Sequence, residues 1–368
     1  MILRTFHRMS LALGAAALVV LSLVPGTTAS GAAAGAVYAL TNSPAGNAVV
    51  AYQRGADGSL TPDGSFSTGG TGTGVGLGSQ GAVIVTDDHQ WLFAVNARSN
   101  SISSFRIRPD GLELADTASS GGTMPISVAF FRGLLYVLNA GVPNNVSGFV
   151  VGRDGGLSPV AGSERSLSGA DTGPAQVGFS DDGEAVIVVE KATNRIDVYA
   201  VGADGLLSGP NVFPSAGPTP FGFAVDKRNT LLVSEAGVGG GASSYRIGAN
   251  GSLTPVSSMV MTGQRAACWA AVTKNGRYGY VTNAGTGNIS GFAIGQDGSA
   301  SLLDADGVTA VTGGNPQDMT LSLDSSYLYA RVPALGIIAI FRVRSDGSLD
   351  PLPSLTGTPT SLAGLAGY

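Results

Sequence analysis

The chain has 368 residues, 43% of them hydrophobic and 12% charged, with 56 Gly and 18 Pro. That hydrophobic share excludes general disorder, and Gly at this level without a period of three means frequent turns rather than collagen. One Cys and two His exclude an internal disulfide and a His-rich metal site, and a formal charge of −5 argues against nucleic acid, whose phosphates need clustered Lys and Arg.

At the N-terminus Arg4 and Arg8 precede an apolar run from Met9 to Val24, which Pro25 and Gly26 break before a series of small residues up to Ala34. This order predicts a secretory signal peptide over residues 1–35, cleaved between Ala29 and Ala36. The apolar run, about 16 residues, is shorter than the roughly 20 that span a bilayer. The expected mature domain, 36–368, is secreted, extracytoplasmic, monomeric and free of the membrane.

Along that domain the turn dipeptides Asp57-Gly58, Asp110-Gly111, Asp154-Gly155, Asp204-Gly205, Asn250-Gly251, Asp297-Gly298 and Asp346-Gly347 recur at intervals of 44 to 53 residues. Five residues before each stands an aromatic: Tyr52, Phe105, Phe149, Tyr199, Tyr245, Phe292 and Phe341. Asp-Gly and Asn-Gly suit a tight hairpin that needs positive φ, and each aromatic tops an alternating segment such as 102–107. One unit reads as four short strands, at 177–180, 185–189, 196–201 and from Leu206 onward. The predicted fold is therefore all-β, a seven-bladed β-propeller of four-stranded antiparallel blades. Blade one lacks its innermost strand, because Val37-Tyr38-Ala39-Leu40 aligns with second strands such as Leu135-Tyr136-Val137-Leu138. Ser361-Leu362-Ala363-Gly364-Leu365 aligns with the inner strand Ile126-Ser127-Val128-Ala129-Phe130. The C-terminal strand is thus expected to pair into blade one and close the ring, which removes exposed sheet edges.

Few motifs carry chemistry. Gly76-Leu77-Gly78-Ser79-Gln80-Gly81 has dinucleotide-loop spacing but precedes a strand, with no helix N-terminus to hold a pyrophosphate. It reads as a flexible loop between blades one and two, and no cofactor or metal is expected. His89 lies in an inner-to-second-strand turn, without a Gly-x-Ser-x-Gly partner. Cys268 begins an inner strand and reads as a buried, inert thiol. The sequons at Asn145, Asn250 and Asn288 fall in expected turns. More informative are the second-strand ends Asn42, Asn96, Asn139, Glu190, Glu235, Asn283 and Arg331, all polar. They share a face with the loops entering the inner strands, opposite the Asp-Gly turns. Asn there closes a turn with its side-chain amide; Glu190, Glu235 and Arg331 are poorer turn residues and candidates for function.

The seven copies, with inner strands followed by turns such as Phe179-Ser180-Asp181-Asp182-Gly183 and Val272-Thr273-Lys274-Asn275-Gly276, resemble the propeller lactonase family, which includes bacterial 6-phosphogluconolactonase and fungal carboxymuconate cyclase. The resemblance covers the mature chain and implies lactone chemistry by an Arg and His in Gly-Pro-Arg-His and a Glu in Asn-Glu on the next strand. Here the matching stretches are Gly173-Pro174-Ala175-Gln176 and Glu190-Lys191. Ala175, Gln176 and Lys191 stand in place of the Arg, His and Glu.

The scaffold thus matches without its catalytic signature, and two functions follow as expectations. One is a lactonase-like protein that binds, and hydrolyses by non-standard residues, a small polar ligand such as a sugar lactone or carboxylate. The other is a non-catalytic module for a cell-surface glycan or protein. The expected site is the channel mouth, with Glu190, Glu235 and Arg265 as catalytic residues and Gln176, Lys191, Trp269, Asn139, Asn283 and Arg331 as ligand contacts. Six of these, Gln176, Glu190, Lys191, Glu235, Arg265 and Trp269, are assigned to blades three to five and the loop into blade six.

Overall fold

The computed structural model describes residues 33–368; the expected signal segment lies outside the described residues apart from 33–35. Short β-rich runs between Gly-containing turns form thirty strands in seven antiparallel sheets. The only helical segments among the described residues are two single 3₁₀ turns, Ala249–Gly251 and Pro333–Leu335. Each sheet is a blade with inner, second, third and outer strands. In blade four these are Pro174–Phe179, Ala185–Glu190, Arg195–Val201 and Leu207–Pro214. The outer strands of blades three and six are split, as Leu157–Pro159 with Arg165–Ser166 and Ala300–Leu302 with Ala310–Val311.

Blade one takes its inner strand from the far end of the chain. Ala363–Gly367 pairs antiparallel with Gly35–Leu40, setting Tyr38 against Ala366 and Leu40 against Ala363. No blade is left with an unpaired inner edge at the closure.

The repeated pair of aromatic and turn has two physical roles. The aromatics lie on the third strands and are buried, Phe105, Tyr199 and Phe292 completely. Burial of an apolar side chain of this size stabilises by about 1.5–3 kcal/mol over exposure. The turn glycine has positive φ, 88° at Gly58 and 87° at Gly155. It also leaves room for the neighbouring blade, since a Cβ at Gly58 would run into the ring of Tyr327 and one at Gly155 into Trp91. Second-strand tyrosines reinforce this seam. Tyr280 donates to Gly347 O at 2.8 Å and Tyr329 to Gly58 O at 3.0 Å.

Two local expectations are corrected. Asn145 and Asn288 open third strands rather than lying in turns, and Asn288 is buried with its amide on Gln264 Oε1 at 2.7 Å. The segment before blade two is not a free loop: it enters the channel and is hydrogen-bonded there.

Candidate site at the channel mouth

Every inner strand enters from one face, where it lies beside the end of its own second strand; Pro174 pairs with Glu190 and Pro220 with Glu235. The Asp-Gly turns lie on the other face, as antiparallel connection requires. The second-strand ends lie beneath that entry face, within their blades. Glu190, Glu235, Asn139 and Asn283 are fully buried and Arg331 is 4% exposed. The partners of Glu190, Glu235, Asn139 and Asn283 include third-strand side chains and the segments that enter their own blades, and Arg331 is bonded to Gln317 of its inner strand. Asn139 Nδ2 donates to Ser120 O at 3.2 Å, and Asn283 Nδ2 donates to Ser290 Oγ at 2.8 Å.

The two glutamates differ. Glu235 Oε1 accepts from Ser215 Oγ at 2.7 Å and Ser243 Oγ at 2.5 Å, while Oε2 has no partner. Burial pushes its carboxyl up to about 7, against the pull of those hydroxyls. Glu190 accepts from Ser168 Oγ at 2.6 Å and Thr193 Oγ1 at 2.5 Å. It sits beside buried Asp197, whose carboxyl is held above the usual range by burial and then by Glu190 itself.

The mouth itself is closed by the chain. Ser79 Oγ donates to Ile126 O at 2.8 Å in blade three, and Gln80 N to Ala175 O at 3.1 Å in blade four. Gln80 also brackets Ala270 of blade six, donating through Nε2 at 2.8 Å and accepting from Ala270 N at 3.0 Å. The glycines of this plug are required by close approach. A Cβ at Gly70 would strike the Asn96 side chain and one at Gly72 the backbone of Asn42, while Gly78 has φ +59°. Asn42 anchors its start, donating to Val75 O at 2.6 Å.

Beneath the plug lies a cavity of about 220 Å³ lined by Gly76–Ser79, Phe221, Trp269, Gln317 and Arg331. Lys191 stands at its edge, with Nζ donating to Gly78 O at 2.6 Å and lying 4.9 Å from the centre of the Phe221 ring. Burial lowers the Lys191 pKa. Trp269 Nε1 donates to Ser79 O at 2.8 Å. Arg331 donates to Gln317 Oε1 at 3.0 Å, and its Nε has no partner. Beyond Gln80, toward the turn face, the channel forms a lumen of about 470 Å³ whose lining runs from Gln80, Gln176 and Asp318 to Asp87 and Asp181, residues of the turn face.

Of the residues expected at the mouth, Trp269 and Arg331 line this cavity and Lys191 borders it. Gln176 lies in the lumen wall as an inter-blade clamp, accepting from Phe223 N at 2.7 Å and donating to Phe223 O at 3.1 Å. Arg265 is exposed and donates to Gly285 O at 3.1 Å. The blade assignment is corrected: Gln176, Glu190 and Lys191 belong to blade four, Glu235 to blade five and Trp269 to blade six, with Arg265 just before that blade, so none of the six stands on blade three. Cys268 is buried and its thiol is pushed up to about 12, the state of an inert thiol. Among the described residues no group of three His, Cys, Asp or Glu side chains is gathered to hold a metal. Sequence reasoning missed Gln317 and Asp318. Their signal was position, because they enter blade seven where Pro174-Ala175 enters blade four.

The molecule is thus a seven-bladed β-propeller with a cationic, aromatic cavity at a plugged mouth. No protein-family model matches the chain, and no curated protein matches it. Among solved structures it is similar to a candidate 6-phosphogluconolactonase from Bacteroides fragilis, at 17% identity over 94% of this chain and 100% of that one, with a TM-score of 0.71. It is similar to a second such protein from Bacteroides uniformis, at 16% identity over 90% and 99% of the two chains and a TM-score of 0.75. It is also similar to the periplasmic gluconolactonase of Pseudomonas aeruginosa, at 17% identity over 90% and 99% and a TM-score of 0.71. At these identities the likeness establishes the fold.

Proposed function

We propose that this protein is an extracytoplasmic, monomeric lactonase-like propeller that binds a small polar ligand, a sugar lactone or the corresponding carboxylate, in the cavity under the plug, and hydrolyses the lactone. The donor set carries this reading. Lys191 Nζ and Trp269 Nε1 are spent on the carbonyl oxygens of Gly78 and Ser79, positions that a ligand's carbonyl or carboxylate oxygens would take when the plug moves. Arg331 Nε, in the same cavity, still lacks an acceptor. Trp269 and Phe221 supply ring faces against which a sugar ring packs. Glu190, Glu235, Asn139 and Asn283 support this site from within the blades.

The Pseudomonas aeruginosa relative is named a periplasmic gluconolactonase, and the basic, apolar and small residues of the N-terminus supply an export signal of the same destination class. No helix among the described residues is long and apolar enough to cross a membrane. Hydrolysis of 6-phosphogluconolactone at ordinary enzyme rates is not expected, because Ala175, Gln176 and Lys191 stand where the family places Arg, His and Glu.

The reading as a non-catalytic glycan or protein module has one observation in its favour. Val75, Val142, Val238 and Leu335 are exposed on loops of the entry face, Val238 at 94%. Thermal-shift measurements on the mature protein with aldonolactones and aldonates separate the two. A saturable shift that Lys191→Met or Arg331→Met removes supports the small-ligand site. No shift with any of them leaves the interaction module.

A further inference from the structure

The turn face has a cavity of its own. In five blades the inner strand ends there in a turn closed by a backbone bond from its fourth residue to its first. These turns are 86–89 in blade two, 180–183 in blade four, 226–229 in blade five, 273–276 in blade six and 322–325 in blade seven. The second residue of each, Asp87, Asp181, Lys227, Lys274 or Leu323, is exposed, and the fourth has positive φ. Together they ring the channel exit. The turns of blades four to seven are tied in series: Asp181 N donates to Asn229 Oδ1 at 2.8 Å, Arg228 Nη2 to Gly276 O at 2.6 Å, and Lys274 N to Ser325 Oγ at 2.9 Å.

Two features of this rim serve no turn. Lys227 and Lys274, on adjacent blades, are the exposed lysines of the chain, and neither joins an ion pair among the described residues. Arg228, beside Lys227, is by contrast engaged with Asp226. The second feature is His89. The positive-φ position is Gly in blades four and six, Asn in blade five and Ser in blade seven, whereas blade two places an imidazole there. Its ring lies flat on Tyr368, with centroids 4.3 Å apart and planes 11° from parallel.

One cavity of about 360 Å³ takes in all of these side chains, with Asp87, His89, Lys227, Lys274, Leu323 and Tyr368 in its lining. That volume is in the range of small-molecule sites, about 300–1,000 Å³. Blade two lies across the seven-membered ring from blades five and six, so the cavity crosses the channel exit, and it shares Val85, Asp87 and Gly367 with the lumen.

We propose that this cavity binds a small aromatic carboxylate, with the carboxylate at Lys227 and Lys274 and the ring against His89, Tyr368 and Leu323. The site stands at the opposite end of the channel from the cavity under the plug and does not depend on the ligand reading given there. Two flexible ammonium groups, each with three donors, can converge on the two oxygens of one carboxylate. The stacked rings and Leu323 give the ligand ring an apolar wall. Asp87, the acid in the same lining, repels the carboxylate and so directs it toward blades five and six.

The chain's three lysines allow a direct test. Reductive methylation of the mature protein with ¹³C-formaldehyde keeps their charge, and Lys227→Arg and Lys274→Arg assign the NMR signals. Titration with phenylacetate should shift the methyl signals of Lys227 and Lys274 along one saturable curve, and added salt should weaken it. Acetate, which lacks the ring, should bind about 10-fold more weakly. Lys274→Met, followed at Lys227, should weaken phenylacetate by about 5- to 10-fold. His89→Gly suits the positive φ of the turn and should bring phenylacetate toward the affinity of acetate, while Asp87→Asn should tighten it. Asp154→Ala, in an outer hairpin, should match the wild type. The proposal is overturned if the two signals show no saturable shift, if acetate binds as well as phenylacetate, or if His89→Gly binds phenylacetate like the wild type. Weaker binding in Asp87→Asn also overturns it, because the cavity would then be built for a zwitterion.

Discussion

Glu235 shows what a side chain at a second-strand end does to this molecule. Its carboxyl is completely buried, bonded by two serine hydroxyls through one oxygen and short of a partner at the other. Its pKa is raised by burial from 4.5 to about 7, so the folded state holds the proton more tightly than the unfolded chain. Its contribution to stability is therefore complete below about pH 4.5 and is lost as pH rises through about 7. A displacement of that size corresponds to roughly 3 kcal/mol. Glu235→Gln keeps a neutral side chain of the same shape, so its thermal melt should match the wild type near pH 4.5 and exceed it at pH 8. Equal melts for the two proteins at both pH values would show that Glu235 is ionised at little cost. The sequence identified this position as unusual because Glu replaces a turn-closing Asn, but it gave no sign of enclosure. That depends on third-strand and loop residues such as Ser243 and Ser215, which reach the carboxylate only after the blade has formed.

At the scale of elements, the repeat was legible because aromatic and Asp-Gly positions satisfy two constraints at once, ring burial within a blade and close approach between blades. The plug was not legible. Residues 69–81 have the composition of a flexible linker, and their glycines have no periodic pattern. What fixes them is a set of partners distant in sequence, Ile126, Ala175 and Ala270, brought together only by ring closure. Gln80 is central, because its amide makes both bonds to the Ala270 backbone. Losing two such bonds costs about 1–3 kcal/mol in total, enough to loosen the plug without unfolding a blade. The chain has three lysines, and this gives a direct readout. Lys191 is held under the plug while Lys227 and Lys274 are exposed. In Gln80→Ala, acylation of Lys191 by a succinimidyl ester, followed by mass spectrometry, should speed up relative to the other two. An unchanged ratio would mean that Gln80 does not hold the plug.

At the scale of the molecule, seven blades closed by the C-terminal strand make one ring with two unlike compartments. The cavity on the entry face has cations and aromatic rings, and the lumen on the turn face has acids. Blade number and closure could be read from the chain, since each repeat unit carries its own signal. The division of the channel could not, because the plug, Trp269 and Arg331 come from three different parts of the sequence. The central claim is that the capped cavity is a binding site, and Trp269 reports on it directly. Trp91 is the only other tryptophan, in blade two, so a Trp91→Phe background isolates the Trp269 emission. Titration of that protein with D-gluconate should give a saturable change in Trp269 fluorescence that Arg331→Met abolishes. Emission that stays unchanged up to saturating aldonate and aldonolactone, in a protein that still melts cooperatively, would contradict the claim.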